Sequence, residues 1–229
     1  MALIPVKTPG IAKKMFSSYI WDLPTDEQVI YLTFDDGPTE IITPWVLEQL
    51  KSYNAKATFF VIGNNVDKHP DILQTVLEEG HTIGNHTYNH LKGWKTKTPV
   101  YLENIEACEA VLRIQNSRFK VSGAESDIRN SEVENRNLFR PPYGKLKPKQ
   151  GKEVIKMGYQ IVMWDVLSFD WDTSVQPETC YQNVISKATN GSIIVFHDSL
   201  KAAKNMQYAL PKVLDYFNQK GFVFKSIRL

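Results

Sequence analysis

Two cysteines, Cys108 and Cys180, are all that the 229 residues contain. That is too few for a disulfide framework, and the spacing does not suit paired thiolate metal ligands, so both read as buried free thiols. No apolar run approaches the roughly 18 residues that suggest a membrane span, so no membrane partner is expected. An excess of either charge is also missing: 27 Lys and Arg face 25 Asp and Glu, a formal net charge of +2. The basic residues are scattered, Lys13-Lys14 and the Lys145, Lys147, Lys149, Lys152 group being the densest. Nothing in that pattern demands nucleic acid. The opening MALIPVKTPGIAKKMFSSYIW lacks the basic start, apolar run and small-residue cleavage site of a secretory signal. The expectation is a cytoplasmic protein if the chain is complete, and an extracellular or periplasmic one if it was trimmed. Repeats and low-complexity tracts are absent, and the oligomeric state stays open.

What is present is an ordinary globular composition, 42% hydrophobic and 23% charged, long enough for one generous domain. Short apolar runs that end at turn residues alternate with segments of helical period, the signature of an α/β fold. Strands are predicted over Val29–Phe34, Ala57–Ile62, His81–Gly84, Leu138–Phe139, Tyr159–Trp164, Ile193–Phe196 and Phe222–Phe224. Helices are predicted over Thr43–Asn54, Asp71–Glu79, Val100–Ile114, Pro148–Met157, Pro177–Thr189 and Met206–Lys220. Tyr101, Ile105, Cys108, Val111 and Leu112 form the apolar stripe of the third. The strand set suits a barrel or a wide parallel sheet. Residues 28–229 are expected to form one catalytic domain and residues 1–27 an extension packed on it. The long polar stretch 114–137 is expected to be a surface excursion.

Unusual polar clusters fall where the predicted strands end: TFDDGP, GNHTYNH, FRPPYG, WDVLSFDWD and FHDS. In barrels of parallel strands, sites form on that carboxyl-terminal face. His86 and His90 are four apart, a spacing that on a helical turn would project both imidazoles from one face. That spacing alone is weak evidence. Joined by Asp36, the two imidazoles make the three-ligand, open-position set of a catalytic zinc, and the same donors would accept Co, Ni, Mn or Fe. A metal also accounts for the adjacent carboxylates of TFDDGP, since one can bind it while the other stays free.

The whole set resembles the polysaccharide deacetylase family, the NodB homology domain of carbohydrate esterase family four. Five motifs carry the resemblance, in family order. They are Thr33 to Pro38, His86 to His90, Arg140 to Gly144, Asp165 to Trp171 and Ile194 to Asp198. It covers roughly residues 28–226 and implies a distorted (β/α) barrel with about seven parallel strands. It also implies an enzyme that hydrolyses acetyl groups from N-acetylated sugars with a metal-activated water, acting on a glycan or oligosaccharide.

By that resemblance Asp35 is the general base, Asp36, His86 and His90 hold the metal, and the backbone N–H of Tyr143 stabilises the developing oxyanion. His197 is the general acid, Asp170 raises its pKa and fixes its tautomer, and Arg140 orients Asp35 through a bidentate contact. Pro141 stiffens the loop, and Trp171 and Trp164 are candidate groove walls. Leu167 departs from the family pattern, where a polar residue is usual, and Asp198 is expected only to cap a turn. The competing readings are a hydrolase of sugar acetate esters or other non-peptide C–N bonds on the same fold, and a glycan-binding protein without catalysis.

Overall fold

In an extended strand alternate side chains face opposite ways, and that alternation decides which residues of this chain see helices and which see the barrel interior. The computed structural model describes residues 5–121 and 137–229. Its elements run α1 (Gly10–Met15), β1 (Val29–Asp35), α2 (Ile42–Ser52), β2 (Thr58–Val61), α3 (Gly63–Lys68), α4 (Pro70–Glu78), β3 (Thr82–Asn85), α5 (Thr98–Val121), β4 (Leu138–Phe139), α6 (Pro148–Lys156), β5 (Gln160–Ile161), β6 (Val166–Leu167), α7 (Pro177–Ile185), β7 (Ile193–His197), α8 (Ala203–Gln219) and β8 (Val223–Phe224). The strands form one parallel sheet in the order β5-β4-β3-β2-β1-β7-β6, with β8 paired to β1. The sheet curls into the expected distorted barrel of about seven strands.

Ile30, Leu32 and Phe34 of β1, with Ile194 and Phe196 of β7, join the large core shared with α2 and α8. Phe34 stacks on Phe59 at 5.1 Å and on Phe196 at 6.2 Å. The intervening residues Tyr31, Phe60, Leu138, Val162 and Ile193 pack inside the barrel. Burying each such apolar side chain contributes about 1.5–3 kcal/mol. A one-residue slip of β1 would turn Asp35 into the helix-facing core, so the hydrophobic pattern fixes the register that aims Asp35 inward.

The sheet path ends at β5 and β6, and the chain before β1 runs beside both edges. Ile20 bridges Val162, Lys7 bridges Val166 and Asp22 bridges Ser192. Asp165, beside β6, is buried and gathers Lys7 Nζ at 3.0 Å, Lys13 Nζ at 2.6 Å and Ser192 Oγ at 2.6 Å, while Lys13 also pairs with Asp22.

The six-residue helices α1 and α3 and the strand β6 are absent from the sequence prediction. In α3 the buried residues are Gly63 and Val66, which give no periodic stripe, and Val166-Leu167 is too short for alternation to show. Helix α5 continues to Val121, so the expected excursion at 114–137 begins as helix; residues 122–136 lie outside the described residues. No helix among the described residues is long and apolar enough to cross a membrane.

Candidate active site

The sheet register brings the motifs together at one level. Asp35, last in β1, is the cross-strand partner of His197, last in β7. Parallel neighbours point the same way, so both side chains enter the barrel mouth. Asn85 ends β3 beside Phe139 of β4, which sets His86 and Arg140 at the same height. Asp36, His86, Arg140 and Asp170 each follow a strand end, on the face where connecting loops are free to vary.

The ligand-type atoms of Asp36, His86 and His90 all lie within 4.8 Å of one another. Asp36 Oδ1 is 3.2 Å from His90 Nε2 and 3.7 Å from His86 Nε2. That oxygen is buried and has no hydrogen-bond partner. The Nδ1–H of His86 donates to the Arg140 carbonyl at 2.7 Å, which turns Nε2 toward Asp36. Burial pushes the pKa of His86 down, and burial with the neighbouring His86 charge pushes His90 down to about 4. A carboxylate oxygen without a hydrogen-bond partner and two imidazoles disfavoured as cations thus converge on one point, a donor set that a divalent cation fits. The group could hold a metal ion.

The local backbone differs from the predicted helical turn. His86 to His90 is an irregular loop. Thr87 (φ 66°) and His90 (φ 54°) occupy the left-handed region, and that bend brings the two imidazoles to a centroid distance of 5.1 Å. Asp36 (φ 80°), Tyr143 (φ 60°) and Phe169 (φ 65°) are left-handed as well. Among the described residues Asn54 is the remaining non-glycine case. Strained backbone gathers around the site, as it does where geometry is held for function.

Arg140 is fully buried. It does not grip Asp35 in the expected bidentate manner. Its Nη1 donates to Asp35 Oδ1 at 2.7 Å and to Thr33 Oγ1 at 2.7 Å, while Nε and Nη2 donate to the Val162 and Met163 carbonyls at 3.1 and 2.7 Å. The guanidinium lies 4.1 Å from the Phe60 ring centroid. Burial alone would raise the pKa of Asp35, but Arg140, helped by His86 and His197, holds it below the usual carboxylate range. On the other side His197 donates from Nδ1–H to Asp170 Oδ1 at 2.8 Å, and its backbone N–H donates to Oδ2 at 2.7 Å. Ser168 steadies Asp170 at 3.0 Å. Burial would lower the pKa of His197, yet Asp170 outweighs it and raises the imidazole to about 9.

Trp171 leans on His197 at 5.0 Å and stacks on Phe169 at 4.9 Å, so it borders the site. Trp164 is partly buried in the core. Pro141 is buried, so its ring shapes the loop from beneath. Leu167, where the chain departs from the family pattern, is also buried.

Two features escape the sequence. Asp198 is no simple turn cap: it is fully buried, Thr43 Oγ1 donates to it at 2.6 Å, and burial pushes its pKa up to about 7. Gly37 must be glycine because a Cβ there would stand 2.0 Å from Asp198 Oδ2. The second feature is Trp94, whose ring meets Tyr143 edge-on at 5.4 Å while Tyr143 packs at 4.7 Å on His90. Its short distance in sequence from HTYNH is the one signal that could have marked it.

Comparison with known proteins agrees with this geometry. A family model described as polysaccharide deacetylase matches residues 22–162. A peptidoglycan-N-acetylglucosamine deacetylase of Bacillus cereus is 34% identical over 209 residues, 90% of each chain. The peptidoglycan-N-acetylmuramic acid deacetylase PdaA of Bacillus subtilis is 31% identical, across 89% of this chain and 71% of its own. A crystal structure of a peptidoglycan N-acetylglucosamine deacetylase bound to an N-oxidanyl-benzamide superposes with a TM-score of 0.80 at 31% identity, over 96% of this chain and 95% of that one. On the family match and these relatives together, the chain belongs to the polysaccharide deacetylase family.

Proposed function

We propose that the chain hydrolyses the acetamide of N-acetylated sugars in a glycan, releasing acetate and leaving a free amine. The observation that carries this reading is the pairing of Asp35, held ionised by Arg140, with His197, held protonated by Asp170, around one Asp-His-His group. A glycan-binding protein without catalysis would need neither the base nor the acid. The relatives' names make peptidoglycan the leading glycan, with the cell wall as the place of action. Residues 28–229 would act as one catalytic domain, with the preceding segment as its strap.

Asp36, His86 and His90 would hold the ion, zinc by donor type, with Co, Ni, Mn or Fe suiting the same set. When bound, such an ion supplies Lewis-acid polarisation of the acetyl carbonyl and a more acidic water. Asp35 accepts a proton from the attacking water, and the buried Arg140 keeps that carboxylate ionised and aimed. The Tyr143 N–H donates to the carbonyl oxygen as charge develops there. His197 passes its proton to the nitrogen as the C–N bond breaks, because an amine leaves poorly as an anion.

Acetate release from chito-oligosaccharide, peptidoglycan and acetylated xylan by zinc-loaded protein tests the reading. Release from the N-acetylated sugars, abolished in Asp35→Asn with metal content retained, is the expected result. Release from xylan alone would make the enzyme an esterase. Glycan binding without release from any substrate would make it a binding protein.

A further inference from the structure

The two flanks of the site differ in charge. On the flank of β7 the stack of Phe169 and Trp171 leans on His197. On the opposite flank an ammonium sits over each ring of the Trp94–Tyr143 pair. Lys92 Nζ is 5.3 Å from the Tyr143 centroid, and Lys145 Nζ is 5.6 Å from the Trp94 centroid. Tyr143 is 50% exposed, so part of its ring is free to meet a ligand. Both lysines are exposed, and among the described residues neither has an ion-pair partner.

This flank is a built unit. The one-turn 3₁₀ helix Gly93–Lys95, which carries Trp94, is tied to the segment leading into α6. The buried amide of Gln150 donates to the Gly93 and Thr96 carbonyls at 3.0 and 3.2 Å, and Lys147 Nζ donates to the Thr96 carbonyl at 2.7 Å. Gly93 allows the close approach, since a Cβ there would lie 2.9 Å from the Lys145 carbonyl oxygen. Trp94 and the backbone of Lys145 are therefore fixed relative to each other, and through Tyr143 to the His90 ring.

Aromatic faces at the rim of a sugar site offer stacking area to any pyranose, charged or not. The lysines can donate hydrogen bonds to any sugar, but their charge distinguishes an anionic one. Among the described residues no carboxylate pairs with either of them, and both stand over the rings that lead to the candidate metal group. A carboxylate on the reacting sugar or its neighbour would meet them as the acetamide reached Asp36, His86 and His90.

We propose that Lys92 and Lys145, carried on the Trp94–Tyr143 pair, form an anion-reading subsite that favours N-acetylated glycans bearing a carboxylate on a sugar substituent next to the reacting acetamide. This rests on the deacetylase reading above and names its substrate class more narrowly. Muramic acid, whose lactyl ether carries a carboxylate, is the sugar of that class found in the relatives' names.

The test compares two glycans of alternating N-acetylglucosamine and N-acetylmuramic acid without peptide, identical except that one has its lactyl carboxylates amidated; a chito-oligosaccharide of equal length is run beside them. At low salt the parent enzyme is expected to favour the free-acid glycan in kcat/KM by about twofold to thirtyfold, the range for two exposed charge contacts. In Lys92→Gln/Lys145→Gln that ratio falls to near one, and in Lys92→Arg/Lys145→Arg it is retained. It also collapses near 1 M salt, where the screening length is about 3 Å. Equal rates of the parent on acid and amide forms would overturn the proposal, as would a glutamine variant that keeps the parent ratio. Acetate release by the parent from none of the three substrates would instead refute the deacetylase reading, and the subsite would fall with it.

Discussion

Replacing Arg140 by methionine probes the interior of the site most directly. The guanidinium is fully buried and donates to Asp35, Thr33 and the Val162 and Met163 carbonyls. Methionine keeps an apolar contact with Phe60 but leaves the Asp35 carboxylate buried without its cation. Breaking a buried ion pair by removing one partner costs about 3–5 kcal/mol, against a total stability of about 5–15 kcal/mol. The variant should fold at 25 °C with a clearly lowered urea midpoint. The sign with pH follows from Asp35. In the parent its pKa lies below the ordinary 3.8, so the pair's stabilisation is present above that value and is lost as pH falls through the folded value. In the variant, burial becomes the dominant influence and the carboxyl shifts upward. The acid limb of kcat/KM should therefore move to higher pH, and the stability deficit should shrink on acidification. Asp35→Asn/Arg140→Met, with both charges gone, should recover part of the loss. The measurements are urea denaturation at pH 7 and pH 5 and a pH–rate profile. A loss under about 1 kcal/mol, as for an exposed pair, together with an unmoved acid limb would refute the reasoning.

Four further expectations can be checked. His197 carries its proton up to about 9, so activity should fall as pH rises through that value; His197→Ala should lower turnover and erase this basic limb while leaving bound metal unchanged by elemental analysis. The stabilisation from the Asp170–His197 pair is complete below the ordinary 6.5 and fades as pH rises through about 9, which thermal melts in this range would register. His86→Ala or His90→Ala should empty the metal site, and full metal occupancy in either variant would sink the ligand assignment. Gly37→Ala forces a Cβ to within 2.0 Å of the Asp198 carboxylate; a loss of about 1–3 kcal/mol, the usual range for overpacking, is expected in denaturant titrations.

The strand cores were legible from sequence because their signal is local. Ile30, Leu32 and Phe34 repeat with period two, and the stripe from Tyr101 to Leu112 repeats with a helical period. The polar clusters were legible because each interrupts such a pattern at its carboxyl end. Where a side chain's surroundings come from distant segments the signal failed. Asp198 looks like a turn residue until α2 brings Thr43 against it, and Trp94 looks like any loop aromatic until the α6 entry brings Lys145 and Tyr143 beside it.

By itself, then, the sequence determined the parallel α/β architecture and the gathering of carboxylates and imidazoles at the strand ends, because alternation and motif chemistry are written in neighbouring residues. Tertiary structure alone decided how those donors meet. The left-handed bend at Thr87 and His90 replaced a helical turn, the four-way anchoring of Arg140 replaced a bidentate grip, and the register of β1 with β7 set Asp35 beside His197. Each depends on segments tens of residues apart being pressed together by the same hydrophobic core, and no local pattern records that.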